Sequence, residues 1–162
     1  MADDVHQAPA APSLCEWAGG MAALEKLTDV FYAKVKADPL LQPVFEHMDP
    51  GHPQHVARFL AEVFGGPKAY SQAHGGHAEM IRHHLDRHLQ EAQRRRWVAL
   101  LLDSADEADL PDDPEFRSAF VGYIDWGTRL AVINSQLGAE VVEDQPMPQW
   151  GWGETKGPYV AP

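Results

Sequence analysis

The stretch His77–Trp97, HAEMIRHHLDRHLQEAQRRRW, decides how the chain is read. Its first half has helical spacing. His77, Met80, Ile81, His84 and Leu85 recur at i, i+3, i+4, i+7 and i+8, so they share one face. His84 sits in that apolar stripe with Met80 one turn above it. His83 lies about 100° round the helix and has Glu79 at i−4, an ion-pair spacing. Of two adjacent histidines, one looks inward and the other looks at water. Trp97 follows near the start of a second, strongly apolar helix. An inward imidazole is ordinarily a core side chain whose nitrogens are satisfied.

The rest of the composition bounds the answer. A chain of 162 residues suits one domain with its own core. A formal net charge of −11 argues against nucleic acid and anionic membranes as partners, since both need a basic face. The longest apolar run is WVALLL, Trp97 to Leu102, far short of a membrane span. The N-terminus MADDVHQAPAAPS has no hydrophobic segment of the kind a secretory signal carries, so the cytoplasm is the expected compartment. The lone Cys15 excludes an intramolecular disulfide.

Taken in order, the chain predicts helices separated by Gly and Pro breaks. Residues 1–16 read as a disordered Ala/Pro/Asp-rich arm, with one possible turn at Ser13–Ala18. Met21–Ala37 is a helix with Leu24, Leu27, Thr28, Phe31 and Val35 on one stripe, stopped by Asp38-Pro39. Pro39–Phe45 is a short helical connector. His52-Pro53 opens the next helix, which buries Val56, Phe59, Leu60, Val63 and Phe64 and ends at Gly65-Gly66-Pro67. Lys68–Gly76 reads as a loop. Gln90–Ala108 is a helix. The last one starts at Asp113 as N-cap with Pro114 behind it and runs to about Gln136. Residues 138–162 form a Pro/Gly tail that also holds Trp150, Trp152 and Tyr159. Its aromatics either pack on the domain or dock a partner.

With the preceding FGGPKAYSQAHGG (64–76), the opening stretch resembles the centre of the group II truncated haemoglobins. The resemblance spans residues 17–137 and implies an all-α, globin-like 2-over-2 helical sandwich around haem b. It makes His84 the iron ligand. That explains an imidazole pointing into grease: iron takes one nitrogen's lone pair, and the other N–H donates to a carbonyl or carboxylate. Phe31-Tyr32 matches the family pair whose tyrosine hydroxyl faces the sixth iron position. Phe45 matches the aromatic that wedges the ring, and Trp97 the tryptophan that overhangs the ligand side. Tyr70 matches a family loop tyrosine at the haem propionates, where Arg82 is a second candidate.

The distal histidine is either His52 or His55. His52 shares the face of Val56 and Leu60 at i+4 and i+8, whereas His55 lies about 100° from Val56. Alignment back from FGGP also favours His52, at a position where the family often has a small residue. Val56 is then an apolar wall above the iron. Two donors, Tyr32 and Trp97, around one bound diatomic predict slow release of dioxygen. Slow release favours redox work, either oxidation of nitric oxide to nitrate or peroxide handling, over oxygen transport. The implied partners are dioxygen, other diatomics and an electron donor, with the chain a monomer or homodimer. Eight of the nine histidines lie between His47 and His88, which keeps a zinc or non-haem iron site open as a rival. A cofactor-free helical sensor or scaffold is the other.

Overall fold

A computed structural model describes residues 10–142 and 145–162. Among them all regular secondary structure is helical. The helices are α1 Leu14–Ala18, α2 Gly20–Ala37, α3 Gln42–Phe45, α4 His52–Val63, α5 Ala69–His74, α6 His77–Arg82, α7 Glu91–Glu107 and α8 Pro114–Asn134. A 3₁₀ turn at Gly153–Thr155 interrupts the tail. No helix among the described residues is long and apolar enough to cross a membrane.

The predicted stripes are the core. Leu24, Leu27, Thr28, Phe31 and Val35 are fully buried along α2, which packs on α4 and on α7. The second pair is α7 with α8. Polar ties fasten α7 to α2 on one side and to α8 on the other. Pro39 alone would end α2, but Asp38 does more. Its Oδ1 accepts the Leu40 and Leu41 N–H groups, and its Oδ2 accepts Arg96 Nε at 2.6 Å, which fastens α2 to α7. Buried Arg94 donates to Glu91, Asp125 and Thr128 and so locks the start of α7 to α8. The start of α8 is as predicted: Asp113 Oδ2 accepts the Phe116 N–H at 3.0 Å behind Pro114.

Three expectations need correction. Residues 13–16 belong not to a disordered arm but to the turn expected at Ser13–Ala18: Ser13 Oγ caps α1, and Leu14 and Cys15 are buried against the end of α4. The residues of the arm before 10 lie outside those described. Second, residues 69–74 are helix rather than loop. Buried Glu62 accepts the Ser71 N–H at 2.9 Å, and Gly75 at φ 93° ends the turn. Third, His84 lies just beyond its helix. α6 stops at Arg82, and the His84 N–H turns back to the Ile81 carbonyl at 2.9 Å. Asp86 and His88 then take left-handed φ of 57° and 52°. Local spacing could not show that ending, because the contact that fixes it is remote. Ser135, fully buried at the end of α8, accepts the N–H of His88 on its carbonyl and that of Leu89 on its Oγ.

The tail lies on the helices. Trp150 donates its backbone N–H to the Val63 carbonyl at 2.8 Å, and its ring packs beside Tyr123 and Trp126 of α8. The Trp152 indole donates to the Pro12 carbonyl at 2.7 Å.

Candidate functional site

α2 presents Phe31 and Tyr32 as neighbours, one on the core stripe and one at its edge. Phe31 meets the Trp97 ring edge-on at 4.9 Å, so α2 and α7 share an aromatic wall. Tyr32 is 3% exposed, and Phe45 closes on it from α3 at 5.8 Å. His52, the first residue of α4, completes the cluster. Its ring stands edge-on to Tyr32 at 5.1 Å and 6.1 Å from Phe45. Its Nε2 lies 3.0 Å from the Tyr32 hydroxyl. Val56, one turn further along α4, is half-buried against the same core. Tyr32, Phe45 and His52, read from distant parts of the chain, therefore form one aromatic cluster around the Tyr32–His52 hydrogen bond, and Trp97 joins it through Phe31.

Burial dominates the electrostatics. It pushes the Tyr32 hydroxyl well above its usual range. The same cause depresses His52 to about 4, helped by the charges of His55, His83, His84 and Arg87. His52 is thus a neutral imidazole at pH 7.

His84 is half-buried, and its Nδ1 lies 2.9 Å from the Met80 carbonyl. A carbonyl only accepts, so Nδ1 carries the proton and Nε2 keeps the lone pair a metal needs. His83 behaves as its spacing suggests, exposed and 3.6 Å from Glu79. Burial also holds His84 below the usual imidazole range.

The two residues expected at the propionates part company. Tyr70 is 2% exposed, packed on Phe59 at 5.1 Å, with its hydroxyl pushed up to about 12 by burial and by Glu79 and Glu62. Arg82 is exposed and pairs with Glu79 at 3.1 Å. The sequence reading missed a basic cluster nearby. The rings of His55 and His74 lie 4.1 Å apart, and Arg58 Nη1 sits 3.2 Å from His74 Nε2. His55 and Arg58 are spaced i, i+3 on α4, which was a legible signal. Their partner His74 was hidden because residues 69–74 read as loop.

A b-type haem asks for one imidazole with a free lone pair, apolar walls for the ring and a few donors on the far side. His84, the Phe31–Phe45–Trp97 walls and the Tyr32–His52 pair fit that donor set. The zinc reading fits less well: among the described residues no group of three or more His, Cys, Asp or Glu could hold a metal ion.

Comparison with known proteins gives the same answer. A family model described as "Bacterial-like globin" matches residues 13–121. The group 2 truncated haemoglobin of Bacillus subtilis is 28% identical over 117 residues, 72% of this chain and 86% of that protein. The haemoglobin of Chloroflexus aurantiacus superposes with a TM-score of 0.66 at 31% identity, over 74% of this chain and 97% of that one. The group II truncated haemoglobin of Bacillus anthracis has a TM-score of 0.69 at 22% identity, over 82% and 98%.

Proposed function

Because the chain belongs to the bacterial-like globin family, as a truncated haemoglobin of the 2-over-2 fold, we propose that it is a redox protein working on dioxygen. In this reading it oxidises nitric oxide to nitrate or handles peroxide. The family's cofactor is haem and its ligands are small diatomics such as dioxygen. Haem, when bound, supplies the iron that takes the diatomic and passes electrons. His84 is the residue that holds it, through Nε2. Phe45 and Val56 wall the ring, and Tyr70 is placed for a propionate. Arg82, turned to Glu79, keeps at most an outer share of that task.

The observation that carries the reading is the pairing of two features. One is an imidazole whose proton is fixed on Nδ1 by Met80; the other is an aromatic cluster that carries two donor side chains, Tyr32 and Trp97. Donors aimed at a partly negative bound atom slow its release, which suits chemistry more than delivery. Dioxygen, nitric oxide and one electron balance to nitrate, so each turnover needs a reductant. An electron donor is therefore part of the proposal, as is a cytoplasmic setting.

The test is the absorption spectrum of the purified protein, oxidised, reduced and with carbon monoxide. A Soret band is expected, and His84→Ala should lose it or shift it strongly. A colourless protein that refuses hemin would end the reading. Coloured protein that consumes neither nitric oxide nor peroxide would leave oxygen binding alone.

A further inference from the structure

We infer that His52 is a positioning residue: its Nε2 accepts a hydrogen bond from the Tyr32 hydroxyl and so turns that proton away from an incoming ligand. The inference rests on the haem reading above and deepens it.

A hydrogen bond of 3.0 Å joins the two groups, and its direction follows from their chemistry. A neutral imidazole offers one N–H and one bare nitrogen. The bare nitrogen is a stronger acceptor than a phenol oxygen, and the phenol O–H a stronger donor than the imidazole N–H. The pair therefore rests as O–H···Nε2, with the His52 proton on Nδ1. Burial keeps His52 unprotonated at pH 7, so Nε2 has its lone pair to give.

A phenol has one proton. While it is donated to Nε2, Tyr32 turns lone pairs to its other neighbours. A ligand with a partly negative outer atom must compete for that proton. Trp97 has no such conflict, because an indole N–H only donates. The competition can be won because His52 sits where a side chain can move. It is the first residue of α4, its N-cap is Gly51 with no side-chain cap, and it is half-buried rather than sealed. His52 then opposes ligand retention. This is the reverse of the effect expected if its own N–H reached the ligand.

The sign of one substitution decides it. Dioxygen release is measured by stopped flow on the haem-loaded wild type, His52→Leu, His52→Gln, Tyr32→Phe and the Tyr32→Phe/His52→Leu double variant. The C–O stretch of each carbon monoxide form is read by infrared. His52→Leu should slow release about tenfold, the worth of one hydrogen bond returned to the ligand. It should also lower the C–O stretch. His52→Gln, whose amide oxygen can accept from the phenol, should fall back toward wild type. Tyr32→Phe should speed release, and adding His52→Leu to it should change nothing. Faster release in His52→Leu, an unchanged stretch, or an equal effect in the Tyr32→Phe background would each overturn the inference. If His52→Leu fails to hold haem, His52→Ala carries the same expectation. Wild type that takes up no hemin would sink the haem reading and this inference together. Coloured wild type with the wrong sign would sink the inference alone.

Discussion

The two ends of α4 are built on opposite plans. At its C-terminal end the last carbonyls are taken by remote backbone. Cys15 N–H donates to Phe64 O at 2.9 Å and Trp150 N–H to Val63 O at 2.8 Å. Around them Phe64, Phe120, Tyr123 and Trp150 pack ring on ring. At its N-terminal end Gly51 provides no side-chain cap, the backbone N–H groups of Gly51 and His52 reach only the neighbouring Asp49, and the His52 side chain makes one hydrogen bond, to Tyr32. A helix pinned at one end and lightly held at the other keeps its fold while its functional end adjusts. Stability belongs to the far end, and ligand chemistry is assigned to the near one.

Substitutions at the far end should therefore cost stability without touching ligand kinetics. Gly66→Ala is the severest. A Cβ there would lie 2.6 Å from Cys15 Sγ and 2.8 Å from the Ala61 carbonyl oxygen, and the latter is backbone that cannot swing aside. Overpacking of this kind costs about 3 kcal/mol, or roughly 6–12 °C in thermal midpoint for a chain of this size. Trp150→Ala comes next, at about 2 kcal/mol, because its ring is only partly buried and the full cost of a core Trp is not reached. Thermal unfolding by circular dichroism measures both. In both, dioxygen release should stay within about twofold of wild type, well short of a pocket hydrogen bond's tenfold. A far-end variant that changed release as much as His52→Leu would break the division of labour.

This division was only half legible in the sequence. Helical spacing placed the stripes of α2 and α4, and Asp113-Pro114 placed the start of α8, because those signals are local. Tyr32, Phe45 and Trp97 came through the family pattern and His52, a departure from it, through its helix face; the structure clusters Tyr32, Phe45 and His52 and sets Trp97 against Phe31. What stayed hidden was set by distant partners. The turn carrying His84 ends where Ser135 accepts from His88 and Leu89, 46 or more residues away. The clasp on α4 needs Cys15 and Trp150, from opposite ends of the chain. Arg82 read as a residue beside the face that carries His84, and its ion pair with Glu79, three residues back, was a second local signal in the same stretch.

The smallest effect expected is the one acid should produce, and it tells the two ends apart. His52, His74, His77 and His84 are all held below the ordinary imidazole range, burial being the first cause in each. All four belong to the segment from the start of α4 to the turn after α6, and none to the far end of α4. Below pH 6.5 the unfolded chain binds protons that the folded one refuses, down to about 4 for His52, so stability is complete above pH 6.5 and falls as the pH drops below it. The loss should be local before it is global. Hydrogen-exchange protection factors, corrected for intrinsic rates, should fall between pH 7 and pH 5 in α5, α6 and the first turn of α4. In the last turn of α4 and in α8 beside Trp150 they should hold. Ligand release, by contrast, should be flat from pH 6 to 9, since His52 gains its proton only toward pH 4 and Tyr32 keeps its own. Equal loss of protection at both ends of α4 would show that the clasp and the pocket open as one unit.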